Sequence, residues 1–324
     1  MAVASISIPS MTGRLRPLDP SRDLGGVADL VELCFADTMD EDGLSYLRQM
    51  REAARSSNFI QWASSMAEQA SLPFTGFVWE EMGRVVGNVS LIPFHSEGHR
   101  CYLIANVAVH PEYRGHGIGR RLTVKAMDYA QNHKAYAAWL QVREDNDPAI
   151  HIYLTLGFNE RFRRTTWNST ADFQPQVVSN GLVVGPRRSI HWADQRAWLE
   201  RLYPLELSWH LPLDWKAFRS DWLGKAYRLM TLNFPRHWAI QRSERLLGVL
   251  TWQRGTAHAD TLWLATHIES EEGAIRVLIL HARKHISTHR LLTLNYPAEL
   301  AVQALRSAGF FEKQTLIWME VKLT

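Results

Sequence analysis

Apolar positions along the chain change their period repeatedly, and each change predicts an element. Leu15–Leu18 reads as a short strand and 22–36 as an amphipathic helix. Helical patterns follow at 43–55 and 58–70. Phe77–Trp79 and Val85–Pro93 flank Glu81-Met82-Gly83 as the arms of a hairpin. Tyr102–Val109 is an apolar run of strand length. Ile118, Leu122, Ala126, Tyr129 and Ala130 recur at helical spacing and predict a helix over 117–133. A strand at 137–142, a helix at 146–156 and a closing strand at 160–167 complete this half.

The later chain repeats the end of that list. A hairpin over 237–253 turns at Ser243–Arg245, followed by a strand at 261–266 and a helix at 273–286. A strand at 290–295, a helix at 297–307 and a strand at 313–322 come next. Leu156-Gly157-Phe158 matches Ala308-Gly309-Phe310, and Val107-Ala108-Val109-His110 matches Leu264-Ala265-Thr266-His267. We read an internal duplication with a divergent second copy. The boundaries are a loose tail at 1–12, a first domain at 13–167, a polar Pro/Gly-punctuated linker at 168–186, and a second domain at 187–324.

Composition narrows the class. With 324 residues and 46% hydrophobic content the chain can bury sizeable cores, and no apolar run reaches the ~18–20 residues of a membrane helix. A net charge of +3 lacks the basic excess of a nucleic-acid binder. Cys34 and Cys101 have no metal-ligand spacing and read as small buried thiols of a reducing, cytoplasmic compartment. The start, MAVASISIPSMTGR, has no signal-peptide pattern. Residues 1–171 carry 17 basic and 19 acidic side chains, whereas 172–324 carry 19 and 14. The net +3 is therefore −2 in the first half and +5 in the second. Nine of the 13 Trp fall in the second half, among them Trp192, Trp198, Trp209, Trp215, Trp222 and Trp238, and read as packing.

The segment from Val107 to Arg120 joins a buried strand to a helix N-terminus. The first amides of a helix lack internal partners and the macrodipole adds positive potential, so an anion is favoured there. Gly115, Gly117 and Gly119 let the backbone approach a ligand, and Arg114, Arg120 and Arg121 add charge. The Gly-Lys-Ser/Thr of a P-loop is absent, and Arg120 breaks a dinucleotide fingerprint. What fits is Arg-x-x-Gly-x-Gly, as Arg114-Gly115-His116-Gly117-Ile118-Gly119. A second stretch runs from Asn146 through Ala149 and Tyr153 to Gly157-Phe158. Ala149, Tyr153 and Leu156 share one helix face, and Gly157 is placed to end that helix.

Together these stretches resemble the GNAT superfamily of N-acetyltransferases over residues 13–167. The resemblance implies an α/β (α+β) fold of two tandem GNAT-like domains. Each would be a mixed, mostly antiparallel central sheet flanked by helices. It implies acetyl-CoA as acetyl donor, no metal, and a cofactor set of Val107, Ala108, Val109, Arg114, Gly115, His116, Gly117, Ile118, Gly119, Arg120 and Asn146. Backbone atoms of Val107–Val109 would meet the pantetheine arm, and the loop would hold the pyrophosphate. Asn146 would either lie near the arm or cap its helix. Tyr153 would be the general acid for the departing thiolate. The expected partner is a small-molecule amine, with no nucleic acid and no membrane, in a monomer (an intrachain pseudo-dimer) or a homodimer. A peptide or protein acceptor, and a non-catalytic CoA-binding sensor, are the rivals.

The base is not legible. Trp139-Leu-Gln141-Val-Arg143-Glu144-Asp-Asn146 resembles ribosomal-protein N-terminal acetyltransferases, which typically carry Glu at the place of Gln141, and glutamine cannot take a proton. Glu80, Glu81, His110, His116 and an ordered water remain open. The acidic stretch Asp37–Asp42 either attracts a cationic amine or caps the helix at 43–55. In the second half Glu271 and Glu272 replace Arg114 and Gly115, within Glu269-Ser-Glu-Glu-Gly273, and Leu305 replaces Tyr153. That copy is expected not to bind acetyl-CoA. His281, His285 and His289 have a metal-like spacing, but no carboxylate or cysteine completes a set.

Overall fold

The computed structural model describes residues 12–36, 39, 41–55, 75–169, 181–211, 213–255, 259–267, 271–286 and 290–323. The tail before residue 12, the helix expected at 58–70, Asp37, Thr38 and Asp40, the linker over 170–180, Glu269, Ser270 and His289 lie outside them. The chain forms two compact units that are not consecutive halves. The first takes the described residues through Leu140, with His151–Asn159 and the last residues from Glu320; the second takes Gln141–Ile150 and Glu160–Met319.

The early elements are β1 (Arg14–Pro17), α1 (Pro20–Phe35), α2 (Glu41–Arg55), β2 (Gly76–Glu81), β3 (Arg84–Ser96), β4 (His99–Val109), α3 (Ile118–Asn132), β5 (Ala137–Arg143) and α4 (Asp147–Thr155). In the first unit β1 pairs with β2, β2 with β3 and β3 with β4, all antiparallel. β5 then joins β4 in parallel. Met82 and Gly83 turn the β2–β3 hairpin with φ of 47° and 78°, the geometry that matches strand twist. Asp19 caps α1 by accepting from Ser21 N at 3.0 Å, with Pro20 at the first helical position. Leu24, Val27, Val31, Leu47 and Met50 of α1 and α2 are buried with Val78 and Ala108.

The later elements are β6 (Asn159–Ser169), β7 (Val183–Pro186), α5 (Trp192–Leu202), α6 (Trp215–Phe218), α7 (Trp222–Thr231), β8 (Arg236–Arg242), β9 (Arg245–Gln253), β10 (Ala259–Thr266), α8 (Glu272–His285), β11 (Leu291–Pro297), α9 (Val302–Ser307) and β12 (Phe310–Lys322). In the second unit β7 pairs with β8, β8 with β9 and β9 with β10, all antiparallel. β11 joins β10 in parallel. The strand senses thus repeat those of the first unit in the same order. Trp198, Trp238, Trp263 and Trp167 sit in the core of this unit.

Glycines mark the repeat as well. Gly87 pairs with Val109 at the end of β4, and Gly248 with Thr266 at the end of β10. A Cβ on Gly87 would stand 2.9 Å from Ile118 Cγ2 and 3.0 Å from Leu122 Cδ1. That glycine is what lets α3 lie close on its sheet.

Three features differ from the sequence reading. The strand expected to close the first half, β6, pairs antiparallel with β11 from Arg164↔Pro297 to Asn168↔Thr293. A polar ladder favours that register: Asn295 Nδ2 donates to Thr166 Oγ1 at 3.1 Å, and Leu292 N to Ser169 Oγ at 3.0 Å. The helix expected at 297–307 begins only at Val302, because Glu299 and Ala301 take φ of 70° and 56°. β7 and helices α5, α6 and α7 were not anticipated.

Candidate active site

β4 is where the first unit departs from a plain ladder. Asn88 faces Ala108 and Ser90 faces Ala105, so Val89 alone stands against Asn106 and Val107. This bulge places Asn106 at φ 50°, a conformation Asn tolerates better than most residues. Asn88 Nδ2 donates to Asn106 O at 2.9 Å, and Asn106 Nδ2 donates to Tyr46 OH at 3.0 Å. Burial raises the Tyr46 phenol to about 12, so it stays protonated. Pairing with β5 runs from Cys101↔Ala137 to Ile104↔Leu140, while β4 itself continues to Val109. Ala108 is buried against α1 and α2, and Val107 and Val109 are half-buried.

After β4 the chain makes a short 3-10 turn, Pro111–Tyr113, and then the glycine loop. Arg114 Nε donates back to Val109 O at 3.1 Å, and Cys34 Sγ approaches the same oxygen at 3.4 Å. That carbonyl is therefore already engaged. Gly115 and Gly117 have φ of 81° and 75°, and a Cβ on either would meet nothing within 4 Å. Their requirement is conformational, and the space around them is open. Gly119 differs: it is helical, and its Cβ would make ordinary contact with Val109 Cγ2 at 3.7 Å. Gly117 stands at the N-cap of α3 with no side chain to offer. The amides of Ile118, Gly119 and Arg120 thus point out of an uncapped helix end. Arg114, Arg120 and Arg121 are exposed around it, with the Arg121 guanidinium 5.5 Å over the Trp79 ring. His116 Nδ1 lies 2.9 Å from Arg114 O, a donor's position that leaves Nε2 outward.

Tyr153 belongs to the same unit. It is buried on α4 with its ring edge-on to Phe158, centroids 5.9 Å apart. Gly157, at φ 89°, ends that helix. Burial raises the Tyr153 phenol to about 12, which keeps its proton available. Asn146 belongs to the second unit. Its Oδ1 accepts from Ala149 N at 3.3 Å, so it caps α4.

The candidate bases fare unequally. Glu80 receives Arg16 Nε at 2.6 Å and Arg22 at 2.8 Å, and these guanidiniums hold its carboxyl below the usual range. A carboxylate so committed is a poor proton acceptor. Glu81 is buried, with Oε1 accepting from Thr12 Oγ1 at 2.8 Å. His110 caps the 3-10 turn, its Nδ1 3.4 Å from Glu112 N. Gln141 Nε2 is buried, with no hydrogen-bond partner among the described residues. Sequence reasoning missed the bulge at Asn106 and its partner Asn88. An asparagine inside an apolar strand, able to adopt a left-handed conformation, was the available signal.

The corresponding helix end of the second unit is dressed differently. The N-cap of α8 is Glu271, whose carboxylate takes both Arg242 nitrogens at 2.6 and 3.0 Å. Glu272 occupies the first turn. Leu305 is fully buried. β9 and β10 pair without a shift from Thr261↔Gln253 to Thr266↔Gly248. His281 and His285 stack at 4.2 Å.

Residues 37–158 match the acetyltransferase (GNAT) family. Over 79 residues the chain is 34% identical to the ribosomal protein bS18-alanine N-acetyltransferase of Escherichia coli K12, covering 24% of this chain and 53% of that enzyme. Over 64 residues it is 46% identical to the streptothricin acetyltransferase of Streptomyces lavendulae, covering 20% of this chain and 34% of that one. The chain thus spans about half, or less, of the length of these curated relatives. Among solved structures, a GCN5-related N-acetyltransferase from Sphaerobacter thermophilus shares the fold with a TM-score of 0.55 at 15% identity, covering 96% of each chain. By bulge, glycine loop and family match, the chain carries a GNAT acetyltransferase domain over residues 37–158.

Proposed function

We propose that the protein is an acetyl-CoA-dependent N-acetyltransferase that acts on a primary amine of a small molecule, by direct attack in a ternary complex. The observation that carries this reading is the uncapped N-terminus of α3, opened by left-handed Gly115 and Gly117 and ringed by Arg114, Arg120 and Arg121. Backbone donors and the macrodipole there suit a pyrophosphate. The β4 backbone beyond Ile104, opened by the bulge, is available to the pantetheine arm through Val107 and Ala108. Asn146 caps α4 and need not reach the cofactor.

The chemistry then has three parts. The amine must lose its proton, because an alkylammonium has a pKa near ~10. The developing oxyanion needs donors. The departing CoA thiolate takes a proton, and Tyr153, kept protonated by burial, supplies it.

Similarity to streptothricin acetyltransferase supports a small-molecule acceptor, and Gln141 in place of the glutamate of ribosomal-protein acetyltransferases argues in the same direction. The 34% identity to the bS18-alanine enzyme favours the second reading, a peptide N-terminus. We further read the repeated strand order as a gene-level duplication whose second copy, near 187–324, has lost the cofactor site. Release of CoA thiol from acetyl-CoA, measured across polyamines, aminoglycosides, amino acids and alanine-terminated peptides, tests the reading. Turnover with a small amine is expected; turnover with peptides alone would transfer the assignment, and binding without turnover would make the protein a CoA sensor.

A further inference from the structure

Helix α7 of the second unit turns its apolar stripe outward. Its inner face is fixed on α6 and the loop after it: Gly224 is buried, and a Cβ there would stand 2.5 Å from Arg219 O. Arg228 Nη1 donates to Ala217 O at 2.7 Å and to Arg219 O at 2.8 Å, and Tyr227 packs on the core of the unit. The opposite face presents Trp222, Leu223, Ala226, Leu229 and Met230, all exposed. A surface helix ordinarily buries such a stripe. Trp222 is 73% exposed, Leu229 68% and Met230 77%. Leu232 and Phe234 follow directly after the helix and are exposed as well. Leu232 is the C-cap, with φ of 52°, a conformation that favours glycine and strains a branched side chain.

These six large side chains leave on the order of 800 Å² uncovered, above the ~300–600 Å² of the largest patch on an ordinary monomer and about the share each partner brings to a standard interface. The spacing selects the occupant. About Ala226 the apolar positions of the helix fall four and three residues before and three and four after, so the stripe reads alike in both directions. A surface of that kind is complementary to its own copy across a two-fold axis. An axis at Ala226 sets Trp222 against Met230 and Leu223 against Leu229, and the small Ala226 lets the backbones close. Antiparallel helices also bring each positive dipole end beside a negative one. A lipid surface is served less well. Of the basic side chains between 215 and 236, Arg219 is paired with Asp221, Arg228 is spent on two carbonyls, Arg236 donates to His285 O, and Lys216 lies 5.8 Å over the Tyr227 ring. That leaves Lys225 beside the stripe, where an anionic bilayer would use a row of cations.

We propose that the protein is a homodimer joined through its second units, with α7 of one copy lying antiparallel on α7 of the other about an axis at Ala226. The Trp222 indole of each copy covers Met230 of the other, a thioether–aromatic contact. Leu232 and Phe234 widen the contact past the helix end. The face lies within the second unit, so the contact does not depend on the acetyltransferase reading, and it gives that unit work that needs no cofactor.

Sedimentation equilibrium on the full chain tests this. Wild type is expected at twice the chain mass at about 10 μM. Trp222→Lys and Met230→Glu should each weaken the dimer at least about 30-fold. Circular dichroism should stay unchanged, because both side chains are exposed in the single chain. Mixed together, the two variants should regain a dimer, since one Lys–Glu pair and one Trp–Met pair then face each other across the axis. Ala226→Cys, the mildest change of volume, should cross-link copy to copy under a mild oxidant. Wild type that stays monomeric up to about 100 μM would overturn the proposal. So would wild type that is monomeric in solution yet captured by phosphatidylserine vesicles, which would hand the face to lipid. A dimer indifferent to both charged variants would place the contact elsewhere and overturn it too. Failure of the mixture to associate, with no Ala226→Cys cross-link, would overturn the antiparallel register and the proposal with it.

Discussion

In both units a strand ends on a histidine whose amide bonds back to the neighbouring strand, His110 to Val86 O at 2.9 Å and His267 to Leu247 O at 3.3 Å. A helix follows each, and the two helix ends are dressed in opposite ways. α3 begins on a bare glycine among three exposed arginines; α8 begins on two glutamates, one of them tied to Arg242. The preceding strands differ too, since β4 bulges at Asn106 and β10 does not. The same strand order therefore carries two unlike electrostatic ends. An anion site depends on a few loop residues rather than on the fold.

The largest effect should come from exchanging those ends. Arg114→Glu with Gly115→Glu, which copies Glu271 and Glu272 into the first unit, should weaken acetyl-CoA binding at least about 100-fold, read by calorimetry. The reverse exchange, Glu271→Arg with Glu272→Gly, should create no second site, because β10 lacks the bulge.

Tyr153→Phe sharpens the contrast with Leu305 and should lower kcat about 10–100-fold with acetyl-CoA affinity within twofold. Burial raises this phenol to about 12, so its deprotonation should add no descending limb to the rate profile below pH 10. The sign follows from the charged form being the one disfavoured by burial.

Asn106→Val should cost about 1–3 kcal/mol in urea unfolding, since a β-branched residue is strained at φ 50°. Asn106→Gly should retain more of that stability. The glycine pair gives a stability contrast of similar or smaller size. Gly87→Ala should destabilise by roughly 1–3 kcal/mol through its contacts with α3. Gly248→Ala should cost less, because its Cβ would meet Ala265 O and Thr266 Cγ2 only at 3.3 Å.

The first unit was readable because its strands and helices have clean apolar periods, and Gly115 and Gly117 because left-handed turns select glycine. Gly119 is helical, so its backbone conformation does not by itself require glycine. The partner of β6 was hidden: a period of two tells which face is buried, not which strand lies beside it. In helices α5 to α7 burial does not track apolar residues, which is the cue that periodicity supplies: Trp222, Leu229 and Met230 are exposed, while Trp198 is buried.

Calorimetric titration of the full chain with acetyl-CoA bears most directly on the claim that the cofactor belongs to one helix end. One site per chain is expected, abolished by Arg114→Glu with Gly115→Glu. Two sites, or one site that survives that exchange, would contradict it.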